Sequence, residues 1–257
     1  MQLKSIRVRP MFLHLTEEGL LKVSGKDTKK LLQGQLTCNI DKISGTESSM
    51  GAHCNPQGRV IFLFYLFQWH DAYYLLMPRN MIPIAIAALK KYAVFYKVEL
   101  SDASDEMIII GYKGDAAILD RYPIHLRIPA GSSRFRLLMT NTIPASPTFT
   151  IDEWKCLEID DKIPAIYPES SGKFLPHEIN LPQLNAVDFE KGCYTGQEII
   201  ARMHYRGKLK KHMYLAHLST LSLPLPGMDI PDKGMVVDAC KDADHYKALI
   251  VGEEKKE

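Results

Sequence analysis

The chain has 257 residues and a formal net charge of +2, with 46% hydrophobic, 24% charged and 9% aromatic residues. This is ordinary globular composition, long enough for a substantial core in one large domain or two to three small ones. A charge so close to zero excludes a whole-protein field directed at nucleic acid or membrane, so any such role must come from a local patch. Charges run through the N-terminal stretch, leaving no apolar run to serve as a signal peptide. The longest apolar run, Val60 to Phe67, is too short to span a bilayer.

In chain order, residues 11–24 read as mostly extended, ending at Ser24-Gly25. Asp27 is placed to cap a helix running to about Gly34, with Leu31 and Leu32 inward and Lys29 and Lys30 outward. A turn-rich stretch follows from Asn39 to Gly58. VIFLFYLFQW and AYYLLMP, separated by His70-Asp71, have the pattern of a buried β-hairpin. Met81 to Val94 has helical spacing, with Lys90 and Lys91 near the end, where cations suit the dipole. KVELSD and MIIIGYKG read as strands, Asp115 to Arg121 as a short helix, and IHLRI and RFRLLMT as strands again. This order predicts an α+β sandwich rather than a doubly wound sheet. Residues 151–162 read as helix, stopped by Pro164. The irregular segment 163–191 is long for a compact protein, and such segments are more often functional than idle. After about Lys208 the texture becomes short strands, KKHMYLAHL, MVVDACKD and YKALIVGE, with EEKKE as a solvated tail.

The five cysteines, Cys38, Cys54, Cys156, Cys193 and Cys240, are odd in number and contain no C-x-x-C pair. That argues against a disulfide framework and a locally spaced zinc site, and predicts a reducing compartment, the cytoplasm, and no metal. Cys38 with His53-Cys54 offers two to three soft ligands at irregular spacing, which is thin support for a metal. Thr195-Gly196-Gln197-Glu198 fits a capping box with Thr195 as N-cap, which puts Cys193 just outside a helix's positive end. That position, with Lys191 close by, favours the thiolate. Spacing alone leaves Cys193 between a buried packing thiol and a nucleophile, because the sequence places none of His177, His204 or His212 beside it.

Lys191–Glu198, KGCYTGQE, resembles the K-G-C-Y-x-G-Q-E signature of the YgfZ family. These are folate-binding relatives of the glycine-cleavage T protein, linked to iron–sulfur cluster enzymes and tRNA modification. Ser24-Gly25-Lys26-Asp27 with Leu32 to Thr37 resembles the family's SGxD…LQGQLT opening, and Gly51 to Arg59 its GAYCxPxGR segment. Phe174-Leu175-Pro176 and Asn180-Leu181 fit the stretch before the signature. The resemblance covers about residues 20–210.

It implies an α+β, three-domain, glycine-cleavage-T-like ring around a folate channel, with two α+β domains and a small C-terminal β-barrel. The expected division is 1–45 with 125–207 as a discontinuous folate-binding domain, 46–124 as a second α+β domain, and 208–257 as the barrel. The implied cofactor is tetrahydrofolate or a folate derivative. Cys193 is the functional thiol, and Asn55, Arg59, Lys191, Tyr194, Gln197, Arg202 and Arg206 are the expected cofactor-binding residues. The implied partners are iron–sulfur enzymes or assembly proteins and a weak tRNA contact, with no membrane, for a monomeric protein.

Two departures bear on activity. Aminomethyl-transferring relatives carry a GGIxDD-like segment whose acids work beside the folate nitrogens. Here Phe62 and Leu63 stand in their place, and neither can exchange a proton. A folate-dependent accessory role is therefore expected over an aminomethyltransferase-like activity. Where relatives read R-x-G-x-P, this chain has Asp160-Asp161-Lys162-Ile163-Pro164. From Lys191 to His212 there are six Lys/Arg against Glu198. That run reads either as solvated surface or as a docking strip for RNA phosphates or an acidic partner. Arg202 and Arg206, at i and i+4, also suit the glutamate carboxylates of a folate.

Overall fold

A computed structural model of the chain describes residues 11–44, 47–122, 124–127, 134–139 and 147–253. Three antiparallel sheets, four α-helices and three short 3-10 segments make up the regular structure among them.

The largest sheet has the order β3-β4-β5-β2-β6, built from Ser49–Cys54, Val60–Trp69, Ala72–Pro78, Glu18–Ser24 and Glu99–Asp102. The β4–β5 hairpin forms as its pattern predicts, with His70 taking a positive φ of 50° at the turn. Helix α1, Thr28–Gln35, buries Leu31 and Leu32 and exposes Lys29 and Lys30. Asp27 sits at its N-cap position but accepts from the Lys97 backbone N–H at 2.8 Å instead of capping. Helix α2, Ile82–Ala93, packs on β2, β4 and β6. The turn-rich stretch from Asn39 to Gly58 contains a strand the composition concealed. β3 pairs with β4, which supplies a hydrophobic partner for its buried residues.

The second sheet, β1-β7-β9-β8, joins Met11–His14, Ile108–Lys113, Arg134–Met139 and Ile124–Arg127. The expected helix after Asp115 is a 3-10 segment, Ala116–Arg121. Backbone pairing crosses the expected division at 45/46, because β2 bonds to β5 and β6. It also crosses the one at 124/125, because β7 bonds to β9.

Helix α3, Ile151–Asp160, lies between this sheet and the C-terminal one. Its Trp154 fills the space left by Gly111, where a Cβ would lie 3.0 Å from the indole. On the other side it packs on β12 and β13. No helix or strand forms between α3 and α4, Gln197–Arg206.

The C-terminal strands are His212–Leu218, Asp229–Ile230, Gly234–Asp242 and His245–Gly252. They form an open four-stranded sheet, β10-β13-β12-β11, where a small barrel was expected. The two-residue β11 is too short to carry the pairing round to β10. Of the expected EEKKE tail, only Glu253 lies within the described residues.

The cysteines correct another expectation. Cys156 of α3 and Cys240 of β12 form a disulfide across 84 residues, with Cα atoms 5.5 Å apart. Sequence spacing carried no sign of it, because the pair is made by packing α3 on the C-terminal sheet. Cys38 and Cys54 are buried free thiols, and Cys193 is exposed. No helix among the described residues is long and apolar enough to cross a membrane.

Candidate functional site

A cleft of about 90 Å³, open to solvent, lies between the large sheet, α3 and the segment that follows it. Met50, Leu63, Phe64, Leu76 and Met77 of the large sheet form one wall, and Ile163, Pro164 and Ile166 form another. The remaining wall is one face of α3. Ile151, Trp154, Lys155 and Glu158 recur at i, i+3, i+4 and i+7, so a single helical stripe presents all four.

At the centre is Arg136, with 6% of its side chain exposed. Its Nε donates to both Glu18 carboxylate oxygens at 2.8 Å, and its Nη2 donates to Glu158 Oε1 at 2.7 Å. The guanidinium carbon lies 4.5 Å from the Tyr65 ring centroid. Arg134, two residues away on the same strand face, pairs with Asp161 and lies 5.6 Å from the Trp154 ring centroid. Burial opposes the Arg136 charge, but Glu18 and Glu158 outweigh it and hold the guanidinium well above its ordinary pKa. Burial pushes the Glu158 carboxyl up, against the pull of Arg136. It also pushes the Tyr65 phenol up to about 12. Tyr167 donates to Asp238 at 3.1 Å, and Lys155 pairs with the same carboxylate at 2.9 Å.

Three residues lining this cleft have a buried donor with no hydrogen-bond partner among the described residues: Tyr65 Oη, Trp154 Nε1 and Arg136 Nη1. Each such group costs about 1–3 kcal/mol when left unmade.

No family model matches the chain. It is 33% identical over 224 residues to the tRNA-modifying protein YgfZ of Vibrio atlanticus, covering 79% of this chain and 68% of that protein. The chain belongs to the YgfZ family. The YgfZ protein of Colwellia psychrerythraea is 32% identical over 277 residues, covering 96% of this chain and 85% of that one. Among solved structures, the glycine cleavage system aminomethyltransferase T from Bartonella henselae superposes with a TM-score of 0.64 at 11% identity. The match covers 96% of this chain and 79% of that one, and it shows a shared fold.

The YgfZ signature does not line the cleft. Lys191 is buried, and its Nζ donates to the Leu36 and Cys38 carbonyls at 2.7 Å each. Burial lowers its pKa to about 8. Tyr194 is buried with its ring centroid 5.2 Å from that ammonium, and burial pushes its phenol up. Asn55 Oδ1 accepts from the Arg59 backbone N–H at 2.9 Å and closes a turn. Arg59 Nη1 donates to the Lys173 carbonyl at 2.6 Å. Gln197 is half-buried as the first residue of α4, while Cys193, Arg202 and Arg206 are exposed.

Asn55, Tyr194 and Gln197 thus come together where the 55–58 turn meets the start of α4, and Arg202 and Arg206 stand on the outer face of that helix. The N-cap of α4 is Gly196, not Thr195. The Thr195 hydroxyl donates to Gln35 Oε1 at 3.0 Å, and Gly196 takes φ 84° so that the backbone can pass the Asn55 carbonyl.

The two departures also resolve in space. Leu63 lines the cleft, whereas Phe62 stacks on His53 with ring centroids 5.1 Å apart. The cleft's acids come instead from Glu17, Glu18 and Glu158. Lys162 adopts φ 55°, the left-handed conformation that glycine reaches without strain. Asp160 pairs with Lys247 at 3.0 Å.

Sequence reasoning passed over Arg134, Arg136, Glu18 and Glu158. The signal was present: two arginines at i and i+2 in a hydrophobic strand share one face, and a buried arginine requires a partner.

Proposed function

We propose that this chain binds tetrahydrofolate, or a folate derivative, in the central cleft and supports assembly or repair of iron–sulfur clusters, including those of enzymes that modify tRNA. The folate reading rests on three residues lining a largely apolar slot, Tyr65, Trp154 and Arg136, each with a buried donor that has no partner among the described residues. A pterin has a flat face for such walls and ring acceptors for such donors. The cluster and tRNA reading rests on the family, whose curated relatives are named tRNA-modifying proteins. Within it, exposed Cys193 serves as a redox-sensitive or partner-contacting thiol. Cys193→Ala leaves the fold intact and impairs cellular function, and full complementation by that variant would sink the thiol assignment.

Anaerobic titration with tetrahydrofolate, followed by tryptophan fluorescence, tests the ligand, since Trp154 lines the cleft. Saturable binding is expected, abolished by Ala165→Trp, which fills the cleft from its half-buried edge. Absence of binding, or binding unchanged in that variant, rejects the assignment.

Glu18 and Glu158 favour a second reading, an aminomethyltransferase-like enzyme, because they put carboxylates in the cleft. Both are engaged by Arg136, which makes either a poor base. Formation of methylene-folate from a small amine donor would establish it.

A further inference from the structure

The outer face of α4 has no role in the cleft. Tyr205 is 69% exposed, with Arg202 and Arg206 beside it, three residues before and one after. The ring is braced from behind: His204 stacks on Phe189 at 3.7 Å, and Tyr205 stands edge-on to His204 at 4.8 Å. Arg202, Arg206, Lys208, Lys210 and Lys211 are all exposed, and none of them forms an ion pair among the described residues. These five cations within ten residues form an exposed basic strip around the ring.

We propose that this face docks single-stranded nucleic acid, with a base stacked on Tyr205 and flanking phosphates on Arg202 and Arg206, continuing along Lys208 to Lys211. An exposed, braced aromatic between guanidiniums is the combination that single strands use, because every base offers a π-face and every linkage a phosphate. A duplex hides its base faces, and an acidic peptide has no use for the ring.

Charge also sets the direction of the strand. Tyr205 borders a second groove that carries Glu47, Asp188 and Glu190 against Lys42, which repels phosphates. The strand therefore runs on the Arg202 side. This surface is independent of the folate reading.

The test is fluorescence anisotropy of the full chain with a labelled oligouridylate of about twelve nucleotides, within the span such sites cover. An oligothymidylate and an RNA duplex of the same length are run in parallel. Saturable binding to single strands, weaker for duplex, is expected. Tyr205→Ala weakens it about tenfold and Tyr205→Phe leaves it unchanged. Arg202→Gln with Arg206→Gln flattens the slope of log K against log salt by about 1.4, at ~0.7 per phosphate. Neutralising Lys90 and Lys91, exposed on α2, removes equal charge and leaves binding intact. A preference for uridylate narrows the ligand to RNA, while equal binding keeps both single strands. No binding at low salt, an equal loss from the α2 variant, or displacement by oligoglutamate of the same length overturns the proposal.

Discussion

In the cleft, Arg136 is 6% exposed and shared between Glu18, 118 residues away, and Glu158, 22 residues away. On α4, Arg202 and Arg206 are exposed and form no ion pair among the described residues, and their neighbours come from one local run. The same side chain is a structural clamp in one place and an unspent charge in the other. Buried charge is committed to its partners and holds layers together, whereas exposed charge stays free for something outside the molecule. The KGCYTGQE segment lies between these cases: Lys191 is committed to backbone carbonyls, and Cys193 is free.

The contrast breaks first at Arg136. Arg136→Leu strands two largely buried carboxylates, so a loss of about 3–5 kcal/mol is expected in denaturant unfolding. A loss below about 1 kcal/mol would show that water screens the cluster and that the clamp description fails.

Lys191→Met leaves the Leu36 and Cys38 carbonyls without their donor and should cost about 1–3 kcal/mol. The pH dependence sharpens this. Lys191 has a folded pKa of about 8 against an ordinary 10.5, so the unfolded chain binds more protons between these values. Its contribution to stability therefore rises with pH over that window. The gap between wild type and Lys191→Met should widen from pH 8 to 10.5, and a constant gap would mean the ammonium is solvated.

Gly196→Ala comes next. With φ 84° and a Cβ 2.6 Å from the Asn55 carbonyl, it should cost at least about 1–2 kcal/mol. A neutral result would show that α4 can start elsewhere.

The smallest effect is at the free thiol. Cys193→Ala should change stability by less than about 0.5 kcal/mol. With a thiol reagent, the native chain should titrate Cys193 alone, denaturant should add Cys38 and Cys54, and only reduction should release Cys156 and Cys240. Rapid labelling of Cys38 or Cys54 in the native chain would contradict their burial.

Two T-x-x-E segments show where local reading stops. Thr150-Ile151-Asp152-Glu153 forms a complete capping box, with Thr150 extended at φ −93° and ψ 167°. Thr195-Gly196-Gln197-Glu198 has the same spacing and forms none, because the turn at Asn55 imposes a left-handed residue at Gly196. The strand at Ser49–Cys54 escaped notice for a similar reason, since its pairing with β4 outweighs a turn-rich composition.

By itself the sequence determined the β4–β5 hairpin, helices α1 and α2 and the family signature, all carried by neighbours within a few residues. Tertiary structure alone decided that Arg136 joins Glu18 and Glu158, that Cys156 bonds Cys240, and that the signature builds a loop beside the cleft rather than its lining. Those contacts join residues far apart in the chain. Periodicity reports which face of an element is buried, but only the packing of whole layers reports what that face meets.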